Sequence, residues 1–282
     1  MTQIKVKLNP DVTPAGSDLS VVNAARRSFN TRSEWDMIVQ GQVVDGPHYE
    51  NLQLKEKDKR LLEFLARGMT AADFEQFMSK VGDCTEEDSW EPQELKELLW
   101  QWRNTPTHDT PFNHTFISFE VKMPVFTARQ LVKTEYTILS EASRRYITDG
   151  IEFYEPPTWR KASPNKKQGS LDEELDFVTW DTCDGEEGGE IKTVIEDHNQ
   201  QNLNLYNALI NCNVAPEQAR MVLPQSMMIE ATWSGTLGAF AKMCRERCHP
   251  EAQYEARVVA NKVYEYLKEY YPVGAVALVE GV

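Results

Sequence analysis

The chain has 282 residues, 41% of them hydrophobic, and a formal net charge of −14, enough length for one large domain or two small ones with a sizeable core. The acidic balance argues against a polymeric nucleic acid as partner and leaves room for a local basic pocket around a small phosphate ester. No run approaches the roughly 18 apolar residues of a membrane span, the opening MTQIKVKLNP lacks a signal-peptide core, and five scattered cysteines point to reduced thiols and a cytoplasmic protein.

Ile4 to Leu8 alternates and reads as an opening strand. Asp18-Leu19-Ser20 caps a short helix carrying Val21, Val22 and Ala25. That helix ends in Ala25-Arg26-Arg27-Ser28-Phe29, where cations suit a helix C-terminus. Residues 30–54 show no period and read as loop with a short element. Asp58 to Met69 reads as a helix with Leu61, Leu62, Phe64 and Leu65 inward and Gly68 as its stop. Residues 70–104 begin as a helix through Phe74, Phe77 and Met78. They pass an acidic run, Thr85 to Asp88, and turn helical again from Pro92 to Trp102.

His108 to Tyr146 concentrates the polar groups. Thr115 to Val121 alternates, with Ile117, Phe119 and Val121 on one face, and is expected to be a strand. Pro124 breaks it and starts a helix whose apolar stripe is Val125, Ala128, Val132 and Tyr136. Ser140 to Tyr146 follows, dense in hydrogen-bonding and anion-binding groups. Gly150 to Gly189 reads as a long loop with short strands. It holds a basic patch (Arg160, Lys161, Lys166, Lys167) and then an acidic run from Asp172 to Glu190.

Ile191 to Leu209 is a helix with Ile191, Val194, Ile195, Leu205 and Leu209 on one face, and His198 on or beside that face reads as packed. Ala215 to Pro224 is a short helix opened by Pro216. Ser226 to Trp233 is a strand and Thr236 to Cys248 a helix. Pro250 starts a last long helix with Ala252, Ala256, Val259, Val263 and Leu267 inward. Cys244, Cys248 and His249 are too few for a metal centre, so packing is the reading and no metal is expected. The acidic run lacks the ordered alternation of a calcium loop. No phosphate-binding Gly-rich loop or dinucleotide fingerprint is present.

Several blocks resemble the flavin-dependent thymidylate synthases. Their signature is Arg-His-Arg, seven residues, Ser, then x-Arg-Tyr. Here the frame is kept as Lys133-Thr134-Glu135, seven residues, Ser143-Arg144-Arg145-Tyr146. Thr110-Pro111-Phe112-x-His114, Ala128-Arg129-Gln130, Ala219-Arg220-x-Val222-Leu223-Pro224 and Ala252-Gln253-Tyr254-Glu255 also resemble family blocks, as does Ala25 to Phe29.

The resemblance implies an α/β (α+β) fold, a mostly antiparallel sheet flanked by helices. It implies one domain over 1–282 with insertions near 30–54, 70–104 and 155–190. It also implies a homotetramer whose sites are shared between subunits. Gln130, Glu141, Ser143, Arg145, Arg220 and Arg247 fall on the positions that hold the nucleotide. An arginine fork suits a phosphate dianion. Arg247 would act electrostatically, favouring charge near N3 and O4 and so making C5 a better nucleophile.

Cofactor positions are His108 and Thr110, which are kept, and Lys133, Thr134, Glu135, Thr236, Gly238 and Lys242, which all depart from the family. Glu135 places a negative charge where the family has a positive one and so counts against FAD. The expected activity is one-carbon transfer from methylenetetrahydrofolate to C5 of a deoxypyrimidine monophosphate, dUMP in preference to dCMP. Alternatives are flavin-independent hydroxymethylation, another base modification with a different donor, and non-catalytic deoxynucleotide binding.

Overall fold

The computed structural model describes residues 3–37, 52–83, 97, 100, 105, 107–164, 170–183 and 185–280. The acidic run Thr85 to Asp88, Lys166, Lys167, most of the expected Pro92 to Trp102 helix and much of 30–54 lie outside the described residues.

The elements are β1 (Lys5–Leu8), α1 (Asp18–Arg26), β2 (Asp36–Met37), β3 (Leu52–Gln53), α2 (Glu56–Arg67), α3 (Ala71–Asp83), β4 (Ile117–Pro124), α4 (Val125–Leu131), β5 (Thr137–Glu141), β6 (Arg160–Ala162), β7 (Ser170–Glu174), β8 (Phe177–Thr182), β9 (Gly185–Glu190), α5 (Ile191–Asn211), α6 (Pro216–Ala219), β10 (Met228–Gly235), α7 (Leu237–Arg247), α8 (Tyr254–Tyr270) and α9 (Pro272–Val279). They sort into two compact units. The first takes Met1–Asp11, Ser118–Ser234 and Glu246–Lys262; the second takes Val12–Ile117, Gly235–Arg245 and Val263–Val282.

The first unit is built on a four-stranded sheet of order β1-β4-β10-β5. β1 runs antiparallel to β4, with Lys5 opposite Lys122 and Leu8 opposite Phe119. Phe119, Val121 and Met123 of β4 are buried, as are Met228, Ile229, Ala231 and Trp233 of β10. Buried Ser118 is satisfied by Ser234, Oγ to Oγ at 2.8 Å.

The chain after β4 departs from expectation. α4 ends at Leu131, and Val132 and Tyr136 are exposed rather than inward. The Thr134 N–H donates to the Leu131 carbonyl at 3.0 Å and Thr137 Oγ1 donates to the Thr134 carbonyl at 2.9 Å. Those bonds and a left-handed Tyr136 (φ 60°) reverse the chain, and Thr137–Glu141 becomes an edge strand.

The region 150–189, expected to be a long loop with short strands, contains two antiparallel ladders, β6 with β7 and β8 with β9. Gly188 makes the second possible, because a Cβ there would lie 2.8 Å from the Phe177 ring. α5 forms as expected, but only Tyr206 on it is buried, and His198 and Leu205 are exposed. Pro250 lies in a turn before α8, which starts at Tyr254 and is followed by α9 rather than closing the chain.

In the second unit the N-cap of α1 is Ser17, whose N–H donates to Ser20 Oγ at 3.1 Å. Asp18, expected to cap α1, is buried and caps α9 instead. Its carboxylate accepts the N–H groups of Val273 and Gly274 at 2.8 and 2.9 Å. Leu62, Leu65 and Ala66 of α2 are buried while Phe64 is exposed, and Gly68 ends the helix with φ 75°. Buried Asp58 accepts from Arg26 Nε at 3.1 Å and from Ser33 Oγ.

Candidate functional site

A cavity of about 490 Å³ in the first unit lies along α4, the end of β5 and the 3-10 turn Arg220–Val222. Its apolar wall includes Val125, Ala128, Leu139, Leu223 and Ile229, and its charged groups are Arg129, Glu141, Arg144 and Arg220. Arg220 reaches it because Pro216 starts α6 and the following turn exposes the guanidinium. Its Nε donates to the Glu217 carbonyl at 3.3 Å, and its two Nη groups have no partner among the described residues.

Arg144 is committed elsewhere, with Nη1 on the Asp149 carbonyl at 2.5 Å and Nη2 on the Gly150 carbonyl at 3.2 Å. Arg129 makes no hydrogen bond or ion pair among the described residues. The cavity therefore offers two uncommitted guanidinium forks and one carboxylate, the donor set for an anionic ligand that also carries a donor. A larger cavity of about 920 Å³ also touches Glu141. Its charges are largely neutralised internally, by Lys7 with Glu120 at 2.6 Å and Lys122 with Glu230 at 3.0 Å.

The structure thus brings together Glu141 and Arg220 of the expected nucleotide residues. It adds Arg129 and Arg144, which the motif frames did not single out. Arg129 stands inside the quoted Ala128-Arg129-Gln130 block, so the signal was present.

The other expected nucleotide residues do not line this cavity. Ser143 Oγ accepts from Arg145 N and Nε at 3.3 and 3.2 Å, and the Arg145 guanidinium lies 5.3 Å from the Tyr146 ring centroid. Gln130 is half-buried, and its Oε1 is buried without a partner. Arg247, at the end of α7, is half-buried with Nη2 3.6 Å from Glu246.

The cofactor positions divide between the two units. Lys133 and Glu135 are exposed in the turn after α4, and Thr134 serves that turn through its backbone. In the second unit, exposed His108 donates its backbone N–H to the Leu65 carbonyl at 2.9 Å. Thr110 opens the 3-10 helix Thr110–Asn113. Thr236 is the N-cap of α7: its Oγ1 accepts the Ala239 N–H at 3.1 Å and donates to Asn113 Oδ1 at 2.6 Å. Gly238 packs against the same Asn113, and Lys242 is exposed.

A third cluster surrounds Glu255, part of the Ala252 to Glu255 block. Glu255 accepts from Arg160 Nη2 at 3.1 Å, Gln253 Nε2 at 3.1 Å and the Tyr154 hydroxyl at 3.4 Å. Burial, and then the Glu255 charge, push the Tyr154 hydroxyl well above its usual range, so it acts as a donor. Arg160 stacks 4.6 Å from the Tyr254 ring centroid. These contacts tie β6 to the start of α8.

A family model described as thymidylate synthase complementing protein matches residues 12–273. A flavin-dependent thymidylate synthase of Thermus thermophilus is 34% identical over 173 residues, which cover 61% of this chain and 60% of that protein. The flavin-dependent thymidylate synthase of Kosmotoga olearia is 32% identical over 182 residues, covering 64% of this chain and 75% of that protein. The chain thus spans about 60% of the length of the Thermus relative. Among solved structures, a UMP/dUMP methylase PolB from Streptomyces cacaoi bound with 5-Br dUMP superposes with a TM-score of 0.62 at 21% identity. That match covers 99% of this chain and 96% of that one, so the two share a fold.

Proposed function

From the premise that the chain belongs to the thymidylate synthase complementing family, we propose that it transfers a one-carbon unit from methylenetetrahydrofolate to C5 of dUMP. The observation that carries this reading is the cavity holding Arg220 and Glu141, both family nucleotide positions, beside the unpaired Arg129. The relatives named flavin-dependent thymidylate synthase and the dUMP-analogue-bound methylase of the same fold support it.

Arg220 and Arg129 hold the phosphate dianion in charge-assisted bonds. Glu141 accepts from a neutral donor of the ligand. Arg247, which does not line this cavity in the single chain, reaches the pyrimidine carbonyl edge in the assembled tetramer and stabilises charge that develops near O4 as C5 attacks the methylene carbon; a carbonyl there favours uracil over cytosine. Gln130, Ser143 and Arg145 complete the nucleotide contacts in an assembled homotetramer with shared sites. Tyr136, Ile138, Tyr146 and Met221 support that assembly, since all are large, apolar and 72–80% exposed in the single chain. Residues 1–282 then act as one family domain in the cytoplasm. Among the described residues no helix is long and apolar enough to cross a membrane.

Methylation adds two electrons to the transferred carbon and therefore needs a reductant. The second reading is redox-neutral: dUMP, methylenetetrahydrofolate and water give 5-hydroxymethyl-dUMP and tetrahydrofolate, the C5 proton and one water proton replacing the two N–CH2 bonds of the folate. It is favoured by the packing of Thr236 and Gly238 against Asn113, which does not fit flavin contacts at those positions. The test is incubation with dUMP and methylenetetrahydrofolate, with and without FAD and NADPH, followed by mass spectrometry of the nucleotide. One-carbon transfer predicts a mass gain at the base. An unchanged nucleotide under every condition, with dUMP still bound, points to a binding protein and refutes the catalytic reading.

A further inference from the structure

Two of the first three N–H groups of α7, those of Leu237 and Ala239, are already taken by threonine hydroxyls. A helix N-terminus attracts an anion when its first N–H groups are free. Here the Leu237 N–H donates to Thr115 Oγ1 at 2.9 Å and the Ala239 N–H to Thr236 Oγ1 at 3.1 Å. Thr115 is itself buried and donates to the Phe112 carbonyl at 2.9 Å. The Thr236 hydroxyl donates to Asn113 Oδ1 at 2.6 Å, and Asn113 Nδ2 donates to the Asp109 carbonyl at 3.3 Å.

The amide pinned in this way lies across Gly238. A Cβ at 238 would sit 2.7 Å from Asn113 Oδ1 and 3.4 Å from its Cγ. A free amide tip could swing aside cheaply, but this one is held at both ends. A side chain at 238 must displace Asn113 Oδ1 from its bond to Thr236.

We infer that Asn113, together with Thr236 and Gly238, closes the N-terminus of α7 to a dinucleotide diphosphate, so that this chain does not hold FAD in its family's manner. The inference rests on the one-carbon-transfer reading and sharpens it toward the redox-neutral product. Thr236 and Gly238 are two of the departures from the family's flavin contacts. The structure joins them through Asn113, a residue outside those contacts, into one hydrogen-bonded plug.

Calorimetric titration of the purified full chain with FAD, and separately with dUMP, tests it. FAD is expected to give no saturable heat and dUMP to give saturable heat. Saturable binding of one FAD per chain overturns the inference and leaves the nucleotide reading standing. Absence of dUMP binding overturns the reading beneath it, and the inference with it. Two variants test the role of Asn113, each first checked for a wild-type circular dichroism spectrum and melt. Gly238→Arg combined with Asn113→Ala is expected to bind FAD about tenfold more tightly than Gly238→Arg alone, the scale of one charge-assisted contact. Equal affinities would show that Asn113 is not the closing residue. If neither variant folds, the wild-type titration decides alone.

Discussion

Asp18→Asn is expected to abolish a loss of stability that the wild-type chain suffers as pH rises through the window from 3.8 to about 6. Asp18 is 2% exposed, and burial raises its pKa from 3.8 to about 6 even though two backbone N–H groups of α9 pull the other way. In that window the folded chain holds a proton that the unfolded chain has released. Unfolding therefore becomes easier with each step upward in pH: the stabilisation is complete below 3.8 and gone above about 6. At about 1.4 kcal/mol per pH unit, the shift amounts to about 3 kcal/mol. Nearby Tyr271 is pushed up to about 12, chiefly by burial, and stays protonated throughout. Its hydroxyl donates to the Ala15 carbonyl at 3.1 Å.

The Asn variant keeps one acceptor for α9 and has no proton to exchange. It should lose about 1 kcal/mol at every pH for the second bond. Urea denaturation of both proteins over a pH series spanning the window measures the difference, which cancels the contribution of every other carboxylate. Parallel curves for the two proteins would refute the assignment of this slope to Asp18.

Arg220→Ala should weaken dUMP binding about tenfold or more, the cost of one charge-assisted contact to phosphate. Arg129→Ala should act in the same direction while leaving deoxyuridine binding unchanged; calorimetry with both ligands separates a phosphate contact from general damage to the cavity. Glu255→Ala leaves the 19%-exposed Arg160 side chain without its carboxylate. It should cost about 3 kcal/mol in urea denaturation, as for a broken buried pair, and a loss below about 1 kcal/mol would mean that Ser170, which accepts from Arg160 Nε at 2.8 Å, suffices. Gly68→Val forces a β-branched residue into φ 75° at the end of α2 and sets a Cβ 3.0 Å from Thr105. A drop of about 2 kcal/mol in thermal or chemical stability is expected.

The elements most legible in the sequence were those whose period and punctuation agree. β4 alternates and ends at Pro124, and α2 carries its stop at Gly68. Misreadings came where a distant partner decides a residue's role. Asp18 looks like a cap for its own helix because it stands at that helix's start. It serves α9 instead, more than 250 positions away in sequence. Tyr136 fits a helical stripe by spacing, yet a local turn puts it at φ 60°. The β8–β9 ladder was hidden because its second strand, Gly-Glu-Glu-Gly-Gly-Glu, has neither β propensity nor alternation. It forms because its glycines admit the Phe177 ring. At the site, Glu141 and Arg220 were found through motif frames, whereas Arg129 needed the cavity to show that its guanidinium is uncommitted.

The altered cofactor positions on α7 show the same dependence on a distant partner. Taken letter by letter, Thr236, Gly238 and Lys242 are independent departures, and independent losses would leave an open, weakened cofactor site. Two of them are not independent in the structure. Thr236 can cap α7 through its short hydroxyl, and that hydroxyl pins Asn113. Asn113 in turn can lie across position 238 only because no Cβ is there. Each residue makes the next one fit, and the Thr236 hydroxyl also takes the Ala239 N–H. Reversing one letter would therefore meet a clash instead of restoring a contact. That is why the paired variant at 113 and 238, and not the single change at 238, is the informative one.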